Sequence, residues 1–214
     1  MKKLLTLVSS LFLVTIMSAK AEVGMGVSGA LHMLSVDGSE TTRTSGEVNN
    51  GSHDEDAYVP EVFIEILNDN GGAFGVSYIP VRDLGSKSRS DTNSEGDTGT
   101  YKAAAELDNV LKLYGDIPLG SVGNSTGYLS VGLQHVEVIT LESLNSGASY
   151  PNKNVFGFSV GFGAKGDVPY GNNLYYKGEL TYTHFDTYEA DGAGNRVDAE
   201  LEDIAARVSI GYKF

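Results

Sequence analysis

Three short glycine-containing motifs have the spelling of sites that do chemistry. Residues 24–29 (GMGVSG) and 161–166 (GFGAKG) match the dinucleotide-binding fingerprint, and residues 157–161 (GFSVG) match the nucleophile elbow of hydrolases. The fingerprint needs a preceding strand and a following helix, and the elbow needs a strand, a sharp turn and a helix. All three motifs lie in or at the end of segments with strand-like alternation. We therefore interpret these glycines as small residues on a crowded face.

The four histidines are the remaining candidates for acid–base chemistry. A hydrolase of membrane lipid would need Ser, His and an acid converging near the membrane face. His184 and Asp186 are the only nearby pair of a histidine and an acid with the right phase for that face, and no serine motif accompanies them. The sequence therefore predicts no catalytic residue and a protein that is not an enzyme.

Two acidic segments contain carboxylates of the kind that Ca²⁺ prefers, His53 to Asp56 and Asp191 to Asn195. Neither has the regular ligand spacing of a known cation-binding loop, so solvated acidic loops are the simpler interpretation. The chain also contains no cysteine, which excludes disulfides and thiolate chemistry. We predict no metal site and no cofactor.

The segments that position these residues alternate between apolar and polar side chains. Alternation with period two is typical of a strand with one apolar and one polar face. We predict eight such strands, at Val23–Ser35, Tyr58–Asn68, Ala73–Val81, Thr100–Tyr114, Gly127–Ile139, Val155–Lys165, Leu174–Phe185 and Ile204–Phe214. The last strand has an apolar residue at every second position, and its length is about what a tilted strand needs to cross a bilayer.

The links between these strands alternate in length. The long, polar links are 36–57, 82–99, 140–154 and 186–203, and the shorter ones are 69–72, 115–126 and 166–173. This sorting is typical of a bacterial outer-membrane barrel, which has long loops outside and short turns in the periplasm. Acidic residues are concentrated in the first and last long links.

The first 21 residues read as a secretory signal peptide. Lys2 and Lys3 precede an apolar run, and a small-residue cleavage site, Ala19-Lys20-Ala21, closes it. We predict a signal peptide over 1–21, export through the Sec pathway, and one barrel domain over 22–214. The net charge of −13 argues against nucleic acid as a partner.

With these features the chain resembles the small eight-stranded outer-membrane β-barrel family, which includes OmpX, the opacity proteins and the OmpA transmembrane domain. The resemblance covers 22–214 as a pattern. Its most specific part is the ending Val208-x-Ile210-x-Tyr212-x-Phe214, which is similar to the signal by which the assembly machinery recognises outer-membrane barrels.

The resemblance implies an all-β, eight-stranded antiparallel up-and-down transmembrane barrel in the Gram-negative outer membrane. It implies as partners outer-membrane lipid and lipopolysaccharide, periplasmic chaperones and the barrel assembly machinery. We expect a monomer.

A barrel of eight strands is only wide enough for side chains to fill, and unpaired ions in that space are costly. We therefore predict a paired charge network in the lumen, with Arg207 facing Glu179. Its members are Glu61, Glu65, Lys102, Glu106, Lys177, Glu179 and Arg207. A lumen filled in this way favours a structural or surface-contact role that presents acidic loops. The alternatives are a narrow, porin-like channel for small solutes or ions and an outer-membrane lipid-modifying enzyme.

Overall fold

A computed structural model describes residues 21–92, 98–143, 150–192 and 194–214. The predicted signal peptide, up to residue 20, lies outside the described residues. The strands are β1 (Ala21–Thr42), β2 (Val48–Asn68), β3 (Ala73–Ile79), β4 (Arg82–Thr92), β5 (Thr98–Val122), β6 (Ser125–Ser143), β7 (Lys153–Asp167), β8 (Leu174–Phe185), β9 (Tyr188–Asp191) and β10 (Asn195–Lys213). Over these ranges, no helix is long and apolar enough to cross a membrane.

The strands form one closed antiparallel ring. Successive strands pair along the chain, and β10 pairs with β1 to close the sheet. Two walls are each built from two pieces: β3 and β4 both pair with β5, and β8 and β9 both pair with β10. Pro80, which has no N–H for a ladder, lies at the first of these breaks. The ring therefore has eight walls, which confirms the predicted all-β barrel.

The strands run well beyond their predicted ends. The β1–β2 ladder continues from the terminal rim, where Ala21 and Phe214 lie, as far as Thr41 opposite Val48. Much of each segment that the sequence assigned to a long loop is therefore a paired extension of the wall. We call this extension the crown; it includes residues 35–42 of β1, 48–57 of β2, β9 and 195–202 of β10. Charged residues on the outer face of the crown hide the alternation that would have revealed these extensions.

The outer face of the ring next to the terminal rim is apolar. Val208 is 72% exposed and Phe158 is 52% exposed, whereas Arg207, next to Val208 in the chain, is 8% exposed. The exposed apolar side chains include Val23, Met25, Val27, Ile64, Tyr78, Leu113, Phe156, Phe162, Leu180, Ile204, Ile210 and Tyr212. The fold is thus inside-out at this level, as expected where hydrocarbon surrounds a polar interior.

The interior of the crown does not follow the inside-out pattern. A cluster of buried apolar side chains fills the crown and the adjoining level of the barrel. We call this cluster the apolar layer: Leu34, Val59, Ile79, Leu84, Leu107, Val110, Val136, Val138, Val155, Phe185, Tyr188, Ala190 and Leu201. The sequence predicted a lumen filled by ion pairs. The structure limits those ions to the part of the lumen nearer the terminal rim. Several members of the apolar layer lie in segments that the sequence assigned to loops.

One seam of the wall is closed by side chains. β2 pairs with β3 from Val62 to Leu67, and within the described strands no ladder joins β2 to β4. Gly85 of β4 has φ +90°, and a Cβ on it would lie 2.1 Å from Nε2 of His53 on β2. Glycine is therefore needed there both for the backbone conformation and for the close approach.

Candidate functional site

Arg207 is the centre of the ion pairs inside the barrel. Strand alternation turns its side chain inward, and the ladder places it beside Glu179 of β8. Its Nε donates to Oε2 of Glu61 at 2.6 Å, its Nη2 to Oε1 of Glu61 at 2.9 Å, and its Nη1 to Oε1 of Glu179 at 2.8 Å. These three side chains are at most 7% exposed. Each guanidinium nitrogen therefore has a carboxylate acceptor.

Lys112 and Tyr128 complete the surroundings of Glu179. Nζ of Lys112 on β5 lies 3.4 Å from Oε1 of Glu179, and the hydroxyl of Tyr128 donates to Oε2 at 3.3 Å. The same carboxylate also accepts from Arg207. Three donors from three strands thus hold one buried acid, which fixes the relative position of the strands that carry them.

A second group lies closer to the terminal rim around Lys177. Its Nζ is 2.9 Å from Oε2 of Glu65 and 2.9 Å from Oδ2 of Asp116. Glu65 also accepts from the hydroxyls of Tyr114 at 2.7 Å and Tyr175 at 2.8 Å. The Lys177 ammonium lies 4.8 Å from the ring centroid of Tyr114, within the range of a cation–π contact.

Asp116 is shared by a second lysine. Nζ of Lys165 on β7 donates to Oδ2 of Asp116 at 3.2 Å and lies 5.1 Å from the ring centroid of Tyr128. The side chain of Asp116 is fully buried, and the side chain of Lys165 is 7% exposed. The lumen near the terminal rim is therefore packed with paired ions and aromatic rings.

A third group lies at the boundary with the apolar layer. Nη1 of Arg82 on β4 donates to Oδ2 of Asp203 at 2.8 Å, and the same oxygen is 2.8 Å from Nδ1 of His32. Nε2 of His32 lies 3.0 Å from Oε1 of Glu61, which joins this group to Arg207. Arg82 has a side chain that is 0% exposed. It ties β4, which has no ladder to β2, to the walls formed by β1 and β10.

Apart from His32, these groups contain five acids and five bases. The acids are Glu61, Glu65, Asp116, Glu179 and Asp203, and the bases are Arg82, Lys112, Lys165, Lys177 and Arg207. We call these residues, with His32, the ionic layer. Removing any one of these charged side chains would leave a buried ion without its partner. Burying an unpaired ion is strongly unfavourable.

The structure brings five of the seven predicted network residues together: Glu61, Glu65, Lys177, Glu179 and Arg207. The side chain of Lys102 lies outside the described residues. Glu106 is turned to the other face of β5, where it lies opposite Asp83 in the β4–β5 ladder. Its neighbour Leu107 is buried instead.

A β-bulge explains the position of Glu106. The β5–β6 register shifts between Asp108 and Leu111, and Asn109 has φ 52°. The extra residue reverses which side chains face inward on either side of it. The uninterrupted alternation that the sequence assumed from Lys102 to Lys112 does not hold, so Glu106 does not belong to the lumen network.

Six members of the ionic layer were not part of the predicted network: His32, Arg82, Lys112, Asp116, Lys165 and Asp203. Arg82, Asp116 and Asp203 lie in segments that the sequence assigned to links, and His32 looked like a residue near a strand end. For Asp203 a signal was available, since it shares the phase of Ala205 and Arg207 on the same strand.

The crown carries polar and acidic groups on its outer face. Asp37, Asp198 and Glu200 line an open pocket with a volume of about 550 Å³, together with hydroxyl and amide side chains. Nearby, hydrogen bonds from Arg196 to Asp198 raise the pKa of the guanidinium above its ordinary value. This face is strongly acidic and open to solvent.

His184 has a partner other than the one that the sequence suggested. Its Nδ1 lies 3.4 Å from Oε1 of Glu202 on β10, and the hydroxyl of Tyr182 donates to the same oxygen at 2.7 Å. Through the described part of the chain, no serine hydroxyl hydrogen-bonds to His184. Three or more His, Asp or Glu side chains arranged to hold a metal ion are also not found in the described ranges.

The proposed assembly signal forms the seam that closes the ring. Val208, Ile210 and Tyr212 point outward, and the N–H of Phe214 donates to the carbonyl of Val23 at 2.9 Å. The rings of Tyr212 and Phe214 meet edge to face at 5.0 Å. Both aromatic residues are exposed at the terminal rim.

No protein-family model matches the chain, and no curated protein matches it. Among solved structures, outer membrane protein OprG from Pseudomonas aeruginosa is similar with a TM-score of 0.62 and 11% identity, over 92% of this chain and 98% of that chain. The outer membrane protein AlkL gives 0.49 and 12%, over 92% of each chain. The outer membrane protease OmpT from Escherichia coli gives 0.49 and 12%, over 92% of this chain and 99% of that chain. The closed eight-walled ring and the similarity to OprG establish that this chain has the fold of the small outer-membrane β-barrels.

Proposed function

We propose that this chain is an integral outer-membrane protein of a Gram-negative bacterium, exported through the Sec pathway. Its lumen is closed, and its role is structural or one of contact at the cell surface. The terminal rim faces the periplasm, and the crown faces the outside. Lipopolysaccharide surrounds the wall, and periplasmic chaperones and the barrel assembly machinery bring the chain there as a monomer.

The observation that carries this proposal is the filled interior. Paired ions and aromatic rings occupy the lumen near the terminal rim, and the apolar layer occupies the crown. The void among the ions, lined by residues such as Ser28, Lys112 and Glu179, measures about 20 Å³. A space of that size holds about one water molecule. Hydrated ions and solutes are larger, so such an interior favours a plug over a pore.

The crown supports a role at the surface. Residues 35–42 of β1 continue beyond the apolar belt as a paired strand. At about 3.3 Å per residue and a tilt of about 40°, these residues raise the hairpin by roughly 20 Å. Because the apolar layer fills the crown, the projection is stiff and holds its acidic outer face well clear of the hydrocarbon.

Single-cysteine labelling tests the proposed orientation, because the chain has no cysteine of its own. Ser45 lies between β1 and β2 at the tip of the crown, and Ser121 lies near the terminal rim at the end of β5; both are exposed. An impermeant maleimide added to intact cells should label Ser45→Cys and leave Ser121→Cys unlabelled until the outer membrane is permeabilised. Labelling of Ser121→Cys in intact cells would contradict the proposal.

Conductance separates the closed barrel from the alternative of a narrow channel. Purified protein reconstituted in a planar bilayer should give no resolvable single-channel currents in concentrated KCl. Regular current steps would replace the closed lumen by a pore for ions or small solutes.

A lipid-modifying enzyme is the second alternative, and the contact between His184 and Glu202 on the outer face is the feature that favours it. Mass spectrometry of lipid A from cells with and without the protein tests it. We expect identical lipid A species. A mass change that is lost in His184→Ala would show an activity.

A further inference from the structure

The interior changes from polar to apolar at one height around the barrel. On β1, His32 is followed by Leu34 two residues nearer the crown, and on β10 Asp203 is followed by Leu201. The same change occurs on the other walls, in the pairs Glu61 and Val59, Ser77 and Ile79, Lys112 and Val110, Gln134 and Val136, and Thr183 and Phe185. Arg82 is the exception, because it lies on the crown side of Ile79 and its guanidinium reaches back to Asp203. Apart from Arg82, the ionic layer and the apolar layer meet at a flat boundary across the lumen.

Polar atoms without a protein partner lie on the ionic side of this boundary. Within the described residues, Nε and Nη2 of Arg82, Oδ1 of Asp203 and Oε1 of Gln134 are buried and make no hydrogen bond. Two are donors and two are acceptors, and Gln134 reaches Thr183, the ladder neighbour of Asp203. Buried polar atoms of this kind are usually satisfied by ordered water. Water is a better occupant than an anion, because it matches both kinds of atom and adds no charge.

The ionic layer therefore contains groups that can replace the hydration shell of a crossing ion. It holds charged partners of both signs, a void of about 20 Å³ and polar atoms that favour water. An ion that enters can exchange partners with the fixed charges, so each lost interaction is replaced by another. The barrier in the ionic layer is therefore its small volume, and the loss of the hydration shell adds little to that barrier.

The apolar layer offers none of these. On β10, Leu201 of this layer is followed by the partly buried Ala199 and Val197, which pack against the layer. These three inward positions span about 10 Å along the barrel axis at the usual rise and tilt. An ion crossing it would lose its hydration shell without gaining a partner, which is far more unfavourable than exchange among charges. Apolar constrictions of this kind also exclude water.

We infer that the apolar layer is the barrier that seals the lumen against ions, and that the ionic layer beneath it is a hydrated compartment and not the gate. This inference rests on the closed lumen of the proposed function. It assigns the seal to the buried apolar residues and not to the buried ions.

The test compares isosteric substitutions at two matched positions of the same ladder. Val136 and Val155 are ladder partners inside the apolar layer, and Val131 and Val160 are ladder partners on the outer face of the same two strands. Val→Thr keeps the shape and adds a hydroxyl. In planar bilayers the double variant V136T/V155T should give resolvable current steps, which the wild type lacks. The variant V131T/V160T should stay closed.

Two further variants keep the result decisive. Leu201→Asn places an amide in the apolar layer on another wall and replaces V136T/V155T if that variant does not show the heat-dependent gel migration of a folded barrel. Arg207→Gln disrupts the ionic layer and should leave the lumen closed. Currents in Arg207→Gln together with silence in the folded apolar-layer variants would overturn the inference, and so would silence in every variant. Currents in the wild type would instead overturn the proposed function.

Discussion

Arg207 of β10 and Glu61 of β2 face each other as a bidentate pair, although β1 lies between their strands. Nε of Arg207 is 2.6 Å from Oε2 and Nη2 is 2.9 Å from Oε1 of the carboxylate. The side chains are 7% and 1% exposed. This planar, two-pronged geometry is available to arginine and not to lysine. The pair therefore ties non-adjacent walls of the barrel together at a fixed distance.

Removing the guanidinium should strongly destabilise the barrel. Arg207→Met leaves Glu61 and Glu179 buried with fewer donors, and breaking a buried pair in this way costs about 3–5 kcal/mol. We expect the midpoint of urea unfolding in lipid vesicles, followed by gel migration without boiling, to fall accordingly. Arg207→Lys keeps the charge but not the fork and should give an intermediate midpoint. Unfolding of Arg207→Met at the wild-type urea concentration would contradict a stabilising network.

Lys177 and Lys213 give a matched comparison of buried and exposed ion pairs. Nζ of Lys177 contacts Glu65 and Asp116, whose side chains are fully buried, whereas Lys213 pairs with Asp167, whose side chain is 73% exposed. Lys177→Met should cost about 3–5 kcal/mol because it leaves two buried carboxylates, and Lys213→Met should cost less than about 1 kcal/mol. Urea titration of both variants in one lipid measures the difference. Equal costs would show that the lumen is as well solvated as the rim.

The sequence pattern predicts the part of the barrel that lies next to the terminal rim. On β10, apolar residues alternate without a break from Ile204 to Tyr212, and the residues between them face inward as expected. Arg207 and Glu179 have the correct phase on neighbouring strands, so their pairing follows from alternation alone. The same reasoning places Glu61, Glu65 and Lys177 inside.

Alternation fails where the strand is interrupted or where both faces change character. The bulge at Asn109 reverses the phase of β5, so Glu106 faces outward and Leu107 inward. In the crown the outer face is polar and the inner face apolar, which is the pattern of a soluble strand. Leu201 and Asp203 therefore looked like parts of a polar link. The sequence analysis assumed that apolar side chains face outward along the whole strand. That assumption cannot reveal a lumen that changes from ionic to apolar along the barrel axis.

The apolar belt predicts a position-dependent cost for charge on the outer face. Val208 lies at the centre of the outward-facing run of β10 and is 72% exposed, and Glu200 lies on the same face in the crown. Val208→Arg should cost about 2–4 kcal/mol in vesicles, as for arginine at the bilayer midplane. Glu200→Arg should cost almost nothing, because that position lies outside the hydrocarbon. Similar unfolding midpoints for the two variants would contradict the assignment of the belt.

The bulge on β5 predicts an unusual preference at Asn109. Its φ of 52° lies in the left-handed region, and Oδ1 of Asp108 accepts from its backbone N–H at 2.8 Å. A β-branched residue is strained in this conformation by about 1–2 kcal/mol, whereas glycine is not. Asn109→Val should therefore lower the unfolding midpoint, and Asn109→Gly should leave it nearly unchanged. A greater loss in Asn109→Gly than in Asn109→Val would mean that the side-chain contacts with Asp108 matter more than the backbone conformation.

The terminal aromatic residue should matter more for assembly in the cell than for the stability of the folded barrel. Phe214 is 72% exposed and contacts Tyr212 edge to face, so little packing is lost on its removal. Phe214→Ser should refold in detergent with nearly the wild-type yield, yet reach the outer membrane poorly, because the predicted assembly signal ends in this ring. Phe158→Ser serves as the control, since Phe158 is also an outward aromatic residue at 52% exposure but lies within β7. We expect that variant to assemble in cells and to lose stability in vesicles. If both variants assemble equally well, the C-terminal strand acts only as a wall of the barrel.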